Sequence, residues 1–144
     1  KFAEYELKGI QVRVAIGERD LANGTVEIAR RDTLVKETIN VNDVDVYIEK
    51  LLNDIQQNLF AKALERTKSS THKADTFEEL KKLLDEKGGF ISAHWDGTAE
   101  TEDKIKDETK ATIRCIPLNN KLEEGKCIYS GKPSKQRVLF ARAY

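Results

Sequence analysis

The run IQVRVAI, from Ile10 to Ile16, alternates apolar and polar side chains, the period of a strand with one face buried. TVEIARR repeats that period, and VKETINV predicts a third strand. Ahead of them, KFAEYELKG is helix-prone and closes on Gly9, a fitting helix stop. GERDLANG, bounded by Gly17 and Gly24, reads as a turn cluster between the first two strands. From about residue 44 to 67, Ile48, Leu51, Leu52, Ile55, Leu59, Ala63 and Leu64 recur at steps of three and four. That spacing predicts one long helix with a single apolar face, capped by Asp43 or Asp45.

The polar stretch TKSSTHKAD interrupts the pattern and marks a boundary. Beyond it, DTFEELKKLLDEKGG predicts a helix, with Thr76 and Glu79 as a capping box and Gly88 as its stop. FISAHW predicts a short strand, and TAETEDKIKDETK a charged helix with few apolar contacts. ATIRCIPL predicts a strand halted by Pro117, and QRVLFARAY a terminal strand with apolar alternation. The fold class this implies is α/β: a small strand-rich unit, a long linking helix and a small α+β lobe. No internal repeat or low-complexity tract is present.

Composition narrows the functional classes. Charged residues make up 35% of the 144, yet 25 basic and 25 acidic side chains cancel. Bulk attraction to DNA or to a membrane surface is therefore not indicated, and nucleic-acid contact would have to be local. The tail alone departs from balance, with Lys126, Lys132, Lys135, Arg137 and Arg142 and no acid after Glu124. Its ordinary reading is a solvated face. No apolar run approaches the ~20 residues that span a bilayer, and no signal peptide opens the chain. The two cysteines, Cys115 and Cys127, are too few for a secreted disulfide scaffold, so a reduced, cytoplasmic setting is expected. Methionine is absent, which suggests a piece of something longer.

Candidate chemistry is sparse. There is no nucleophile elbow, P-loop or H-E-x-x-H. His72 and His94 are far apart, and His94 reads as a surface histidine at a strand end. The carboxylates of residues 98–109 interleave with lysines, as on a solvated helix face. By composition and spacing alone, no active site is visible.

Two stretches carry a resemblance. KFAEYELKGIQVRVAIGERDLANGTVEIARRD is similar to the anticodon-binding region of prolyl-tRNA synthetases of the eukaryote/archaeal-like type. The pattern there is W-K-F-x-x-x-E-L-K-G-V-P-x-R-x-x-x-G-P-(R/K)-D-L, and Gln11 and Glu18 stand where that family usually has proline. GKCIYSGKPSKQRVLFARAY, with IRCIPL before it, resembles the extra C-terminal domain of the same enzymes. THKADTFEELKKLLDEKGGF and the linking helix match too, so the resemblance spans the chain. It implies a partial anticodon-binding domain over 1–43, a linking helix over 44–70 and a zinc-domain-like lobe over 71–144. The chain is then a C-terminal fragment with a truncated sheet. The class II catalytic domain that uses ATP and magnesium would lie outside it, and the fragment alone should be inactive.

The resemblance also assigns roles. Every proline anticodon ends in two guanines, whose N1–H and N2–H₂ suit carboxylates and whose O6 and N7 suit arginine. The family positions for such contacts are here Glu6, Arg13, Arg19 and Asp20, expected to converge on one rim. Lys8, Arg30 and Arg31 are weaker candidates for phosphate. The ordinary alternative is that Glu6–Arg13 and Arg19–Asp20 are surface ion pairs of little energetic weight.

Many members hold zinc in the C-terminal domain through four cysteines. The matching positions here are Asp96, Thr101, Cys127 and Ser130, with one thiol among them, so no structural zinc is expected. Hydrogen bonds among Asp96, Thr101 and Ser130 are expected to bridge the two turns instead. Cys115, outside that cluster, reads as a small buried apolar residue. Tyr144 aligns with a chain end that turns toward the parent's catalytic site. The implied partners are proline tRNA and, in the parent enzyme, a second copy in a homodimer. Two rivals remain open: a free-standing tRNA-binding or editing-associated module, and a dimer-stabilising domain that reads no bases.

Overall fold

The computed structural model describes residues 2–143, so Tyr144 lies outside the described residues. The chain divides into two compact units, one through Glu65 and one from Arg66. The first begins with α1 (Phe2–Leu7), followed by β1 (Val12–Ala15), α2 (Glu18–Asn23), β2 (Thr25–Arg30) and β3 (Lys36–Asn40). The three strands form an antiparallel meander, with Val12 opposite Arg30 and Thr25 opposite Asn40.

GERDLANG is not a turn but the helix α2. The Gly17 N–H donates to the Asp20 carboxylate at 2.8 Å, and Gly24, at φ 64°, closes the far end. The two glycines that suggested a turn are the helix's caps, a pattern that a six-residue helix scarcely separates from a loop.

α3 (Val44–Ser69) forms the long helix as expected. Its start differs: a 3₁₀ turn, Val41–Asp43, runs into it, and the Asn40 side chain caps that turn by accepting from the Asn42 N–H at 2.9 Å. Val26 and Ile28 on one face of β2 meet Leu51 and Ile55, one helical turn apart, and these four form the first unit's core. Of the seven stripe residues only Leu51 and Ile55 are buried; Leu52, Leu59 and Leu64 are exposed. The reason is reach. A 26-residue helix runs for about 39 Å, and strands of four to six residues extend for no more than about 20 Å.

The second unit holds β4 (Thr71–Lys73), α4 (Phe77–Glu86), β5 (Phe90–His94), α5 (Ala99–Thr109) and β6 (Ala111–Cys115). The short β7 (Gly125–Lys126) and β8 (Pro133–Ser134) pair with each other, and β9 (Arg137–Arg142) ends the fold. The main sheet runs β4-β5-β9-β6, with β4 and β5 parallel around α4 and the other pairs antiparallel. Part of the expected polar break is therefore a sheet edge. Three polar residues show no alternation, and the pairing comes from β5, nineteen positions on in register. Gly89 allows that pairing: a Cβ there would sit 2.2 Å from the Ser70 carbonyl oxygen. Thr76 caps α4 as expected, accepting from the Glu79 N–H at 3.2 Å, while Glu79 reaches back to the Asp75 N–H at 2.8 Å.

β9 is interior rather than a half-exposed terminal strand: Arg137, Val138, Phe140 and Ala141 are all buried. Leu80, Leu84, Ile91, Ile105 and Val138 pack around Phe140 to make the second core. α5, expected to make few apolar contacts, inserts Ile105 fully and buries Thr101 and Thr109.

Arg137 departs furthest from the solvated-tail reading. Its guanidinium donates to the Ala74 and Ser92 carbonyls at 2.9 and 3.3 Å, to Glu123 at 3.0 and 3.2 Å, and to Asp75. Arg142 is likewise engaged, with the Thr109 carbonyl at 2.6 Å and Asp85 at 2.8 Å. The exposed-face reading survives for Lys126, Lys132 and Lys135.

The Arg137 hydrogen bond holds the Glu123 carboxyl down at about 2, below its ordinary 4.5. A carboxyl depressed in the folded state contributes stability above about pH 4.5 and loses it as pH falls toward 2. The urea midpoint of the second unit should fall across that window, and E123Q should flatten the fall. A midpoint whose acid dependence is the same in E123Q would contradict this coupling.

Candidate functional site

α1 and β1 bring Glu6 and Arg13 together. Phe2 and Glu6 lie four apart on α1, hence on one helix face, and Arg13 approaches both. Arg13 donates to Glu6 at 3.4 Å, and its guanidinium carbon lies 4.1 Å from the centre of the Phe2 ring. The bond to Glu6 is long, and the Arg13 Nε is buried without a hydrogen-bond partner among the described residues. The side chains are 25% and 55% exposed, so the pair is reachable. Among the described residues this is a carboxylate with free lone pairs beside an arginine fork with unused donors, suited to a planar ligand bearing both donors and acceptors.

Two clefts of the first unit meet at Glu6, and Arg13 lines one of them. One, of about 560 Å³, is lined by Phe2, Arg13 and the outer residues of β1. The other, of about 600 Å³, is lined by Leu7, Asp32 and Leu59. Glu6, Gln11, Arg31 and Leu34 line both. Leu34 is 77% exposed with φ at 62°, a conformation leucine seldom adopts.

Asp32 holds the turn that carries Leu34. Its side chain is fully buried, and it accepts from Arg30 Nε and Nη2 at 2.7 Å each and from Asn58. The Lys62 ammonium binds the Asp32 carbonyl at 3.2 Å. The paired Arg30 guanidinium keeps the Asp32 carboxyl well below the usual carboxylate range. Arg30, a weak phosphate candidate, is thus committed to a buried ion pair. Arg31 is exposed at the meeting of the clefts, and Lys8 is exposed with Glu4 at 2.8 Å.

Arg19 and Asp20 do not join this rim. They sit on α2, outside the lining of both clefts, and the Asp20 carboxylate caps α2 while Thr25 donates to it at 3.5 Å. The convergence expected of four residues is observed for two, because the segment between β1 and β2 is a helix. Phe2, Gln11 and Leu34 line the clefts as well, though none of them is among the expected base contacts. The i, i+4 step from Phe2 to Glu6 was a usable signal; a leucine with positive φ leaves none.

The second unit holds the positions matched to the family's zinc ligands. Asp96 Oδ2 accepts from Thr101 Oγ1 at 2.9 Å and from Ser130 Oγ at 2.6 Å. Oδ1 accepts from the Thr98 N–H at 3.1 Å and the Thr98 hydroxyl at 2.8 Å. Burial of Asp96 opposes ionisation, yet these hydroxyls hold its carboxyl down at about 2. Cys127 is buried nearby in sequence to Ser130. One thiol, one saturated carboxylate and two hydroxyls do not fit a tetrahedral zinc centre. No group of three or more His, Cys, Asp or Glu suited to a metal occurs among the described residues.

Two further expectations are corrected. His94 is 4% exposed rather than on the surface, with Nδ1 3.1 Å from the Ser134 hydroxyl and its ring under Gly125. Cys115 is exposed, because β6 is an edge strand with a register shift between Ile113 and Cys115. Among the described residues, no helix is long and apolar enough to cross a membrane.

Comparison with known proteins agrees with this division. Residues 1–51 match the model of an anticodon binding domain, and residues 77–144 that of the prolyl-tRNA synthetase C-terminal domain. The whole chain is 62% identical to a proline–tRNA ligase of Porphyromonas gingivalis strain W83. It is 60% identical to one of Cytophaga hutchinsonii and 56% identical to one of Flavobacterium johnsoniae. In each case the match covers all of this chain and 29% of the relative's length. Over its whole length the chain is thus similar to proline–tRNA ligases, with a match to an anticodon binding domain followed by one to the prolyl-tRNA synthetase C-terminal domain.

Proposed function

We propose that this chain supplies anticodon recognition to a prolyl-tRNA synthetase. Glu6 and Arg13 read the guanines of the proline tRNA anticodon, and Arg31 at the shared rim meets phosphate. The observation that carries the reading is the meeting of two clefts at Glu6, beside an arginine with an unpaired buried donor. Two adjacent bases need two recesses and a shared divider, and an exposed Leu34 on a locked turn supplies the divider. Breaking a 3.4 Å contact to receive a base costs little, so the pair is poised for exchange. Arg19 and Lys8, both exposed, and Asp20 remain outer candidates for the same tRNA.

ATP-dependent prolylation, with magnesium, belongs to the class II catalytic domain of the parent. The parent works as a cytoplasmic homodimer, and this chain alone has no ligase activity. Anticodon contacts act by orienting the acceptor end at the distant catalytic site. Tyr144 is the residue proposed to face that site. Neither DNA nor a membrane is a partner in this reading.

The test uses the full-length enzyme. E6Q should weaken binding of proline tRNA about 5- to 150-fold, equivalent to about 1–3 kcal/mol. Replacing an anticodon guanine by inosine, which lacks the N2 amino group, should cost the wild type and leave E6Q indifferent. Equal losses in both proteins would remove Glu6 from base reading. A variant that binds tRNA normally but dissociates into monomers would instead support the dimer-stabilising role, for which the exposed Leu52, Leu59 and Phe60 of α3 speak.

A further inference from the structure

We infer that the Asp96 carboxylate joins the two turns of the C-terminal lobe that a four-thiolate zinc centre joins in relatives possessing one. The lobe is accordingly built to fold without metal. Ser130 and Asp96 are 34 residues apart, and their 2.6 Å bond is the side-chain tie between the turn after β5 and the turn after β7. The Thr101 hydroxyl, from the first turn of α5, donates to the same oxygen. One carboxylate thus fastens a loop, a helix start and a second loop, the three pieces that carry the four matched positions.

The donor count disfavours a cation at the same place. A carboxylate offers about four lone-pair sites. Four donors approach Asp96: the Thr98 N–H and the hydroxyls of Thr98, Thr101 and Ser130. A metal ion there would have to break these hydrogen bonds, and beyond the one carboxylate it would gain only neutral hydroxyl oxygens and at most one cysteine. The arrangement is neither a damaged site nor an open one; its polar atoms are spent on one another. The second turn is closed independently of Asp96, by the Cys127 N–H on the Lys132 carbonyl at 2.8 Å and the Gly131 N–H on the Cys127 carbonyl at 2.9 Å. Ile128 ties it to the His94 carbonyl at 3.2 Å. Removing the Ser130 hydroxyl also frees the Lys132 N–H, which donates to it at 3.3 Å, but those three backbone bonds remain, so the junction loosens without either turn being abolished.

The experiment is hydrogen exchange on the full-length protein, with elemental analysis beside it. The wild type should carry well under one zinc per chain, and a strong chelator should leave exchange at residues 96–101 and 127–132 unchanged. S130A should raise exchange of both segments together by about tenfold or more, since a hydrogen bond to a charged group is lost. T101V should do the same, and D96N should do so more strongly. If D96N fails to fold, S130A and T101V still read the junction. Near-stoichiometric zinc with chelator-sensitive exchange would overturn the inference. So would S130A and T101V variants whose exchange in these segments equals that of the wild type.

Discussion

Alanine in place of Asp32 is expected to cost the first unit about 3–5 kcal/mol, more than a substitution at any base-reading position. The carboxylate is fully buried and bound by both arms of Arg30, whose own side chain is only 20% exposed. Deleting it leaves a guanidinium with little water and only the weaker pull of Asp54 as counter-charge, and strips Asn58 and the turn at Leu34 of their anchor. Replacing both partners, with Arg30→Met and Asp32→Leu, should cost much less than D32A alone, because no charge is then stranded. Urea unfolding of the four corners of this cycle gives the coupling directly. A D32A cost under 1 kcal/mol, or additive single and double losses, would show the pair to be incidental. A functional corollary follows: tRNA affinity should fall in D32A as the divider between the clefts loosens.

Arg137→Met should destabilise the second unit by about 3 kcal/mol. Its guanidinium satisfies the Ala74 and Ser92 carbonyls and pairs with two carboxylates, tying β9 to β5 and to the loops after β4 and before β7. Methionine keeps the apolar stem but leaves two carbonyls unmet and Glu123 and Asp75 unpaired. Both carboxylates are substantially exposed and rehydrate, which caps the loss below that of a wholly buried pair. Double substitution with E123Q should be markedly less than additive. Thermal unfolding of R137M within a degree of wild type would show that the sheet does not depend on this junction.

Where local pattern carried the information, reading the chain sufficed. The strands at Val12, Thr25 and Phe90, the long helix and the Thr76 cap depend on neighbours within a few residues. The Glu6–Arg13 pairing was accessible because a helix stop at Gly9 turns the chain back within seven residues. The misses share a different property. Arg137 finds Asp75 across 62 positions, Asp32 finds Asn58 across 26, and β4 finds β5 across a whole helix. Nothing in an arginine's own surroundings distinguishes a buried anchor from a phosphate contact, so Arg30 and Arg137 read as surface cations. α2 was missed for the opposite reason: its signals were local, but turn and helix share them over six residues.

The α/β class, the apolar face of α3, the family likeness and the shortage of thiolates at the four matched positions are all legible in the chain alone. Periodicity settles the first two, and the others rest on the motifs that carry the resemblance; none needs a fold. Which candidates meet is set by the fold. It joined Glu6, where two clefts meet, to Arg13 in one of them, left Arg19 and Asp20 on a separate helix, and spent Arg30 on Asp32. It also turned the hydroxyls of Thr101 and Ser130 onto Asp96. The physical reason is that ion pairs and hydrogen bonds act over about 3 Å in space, a distance that separation along the chain does not encode.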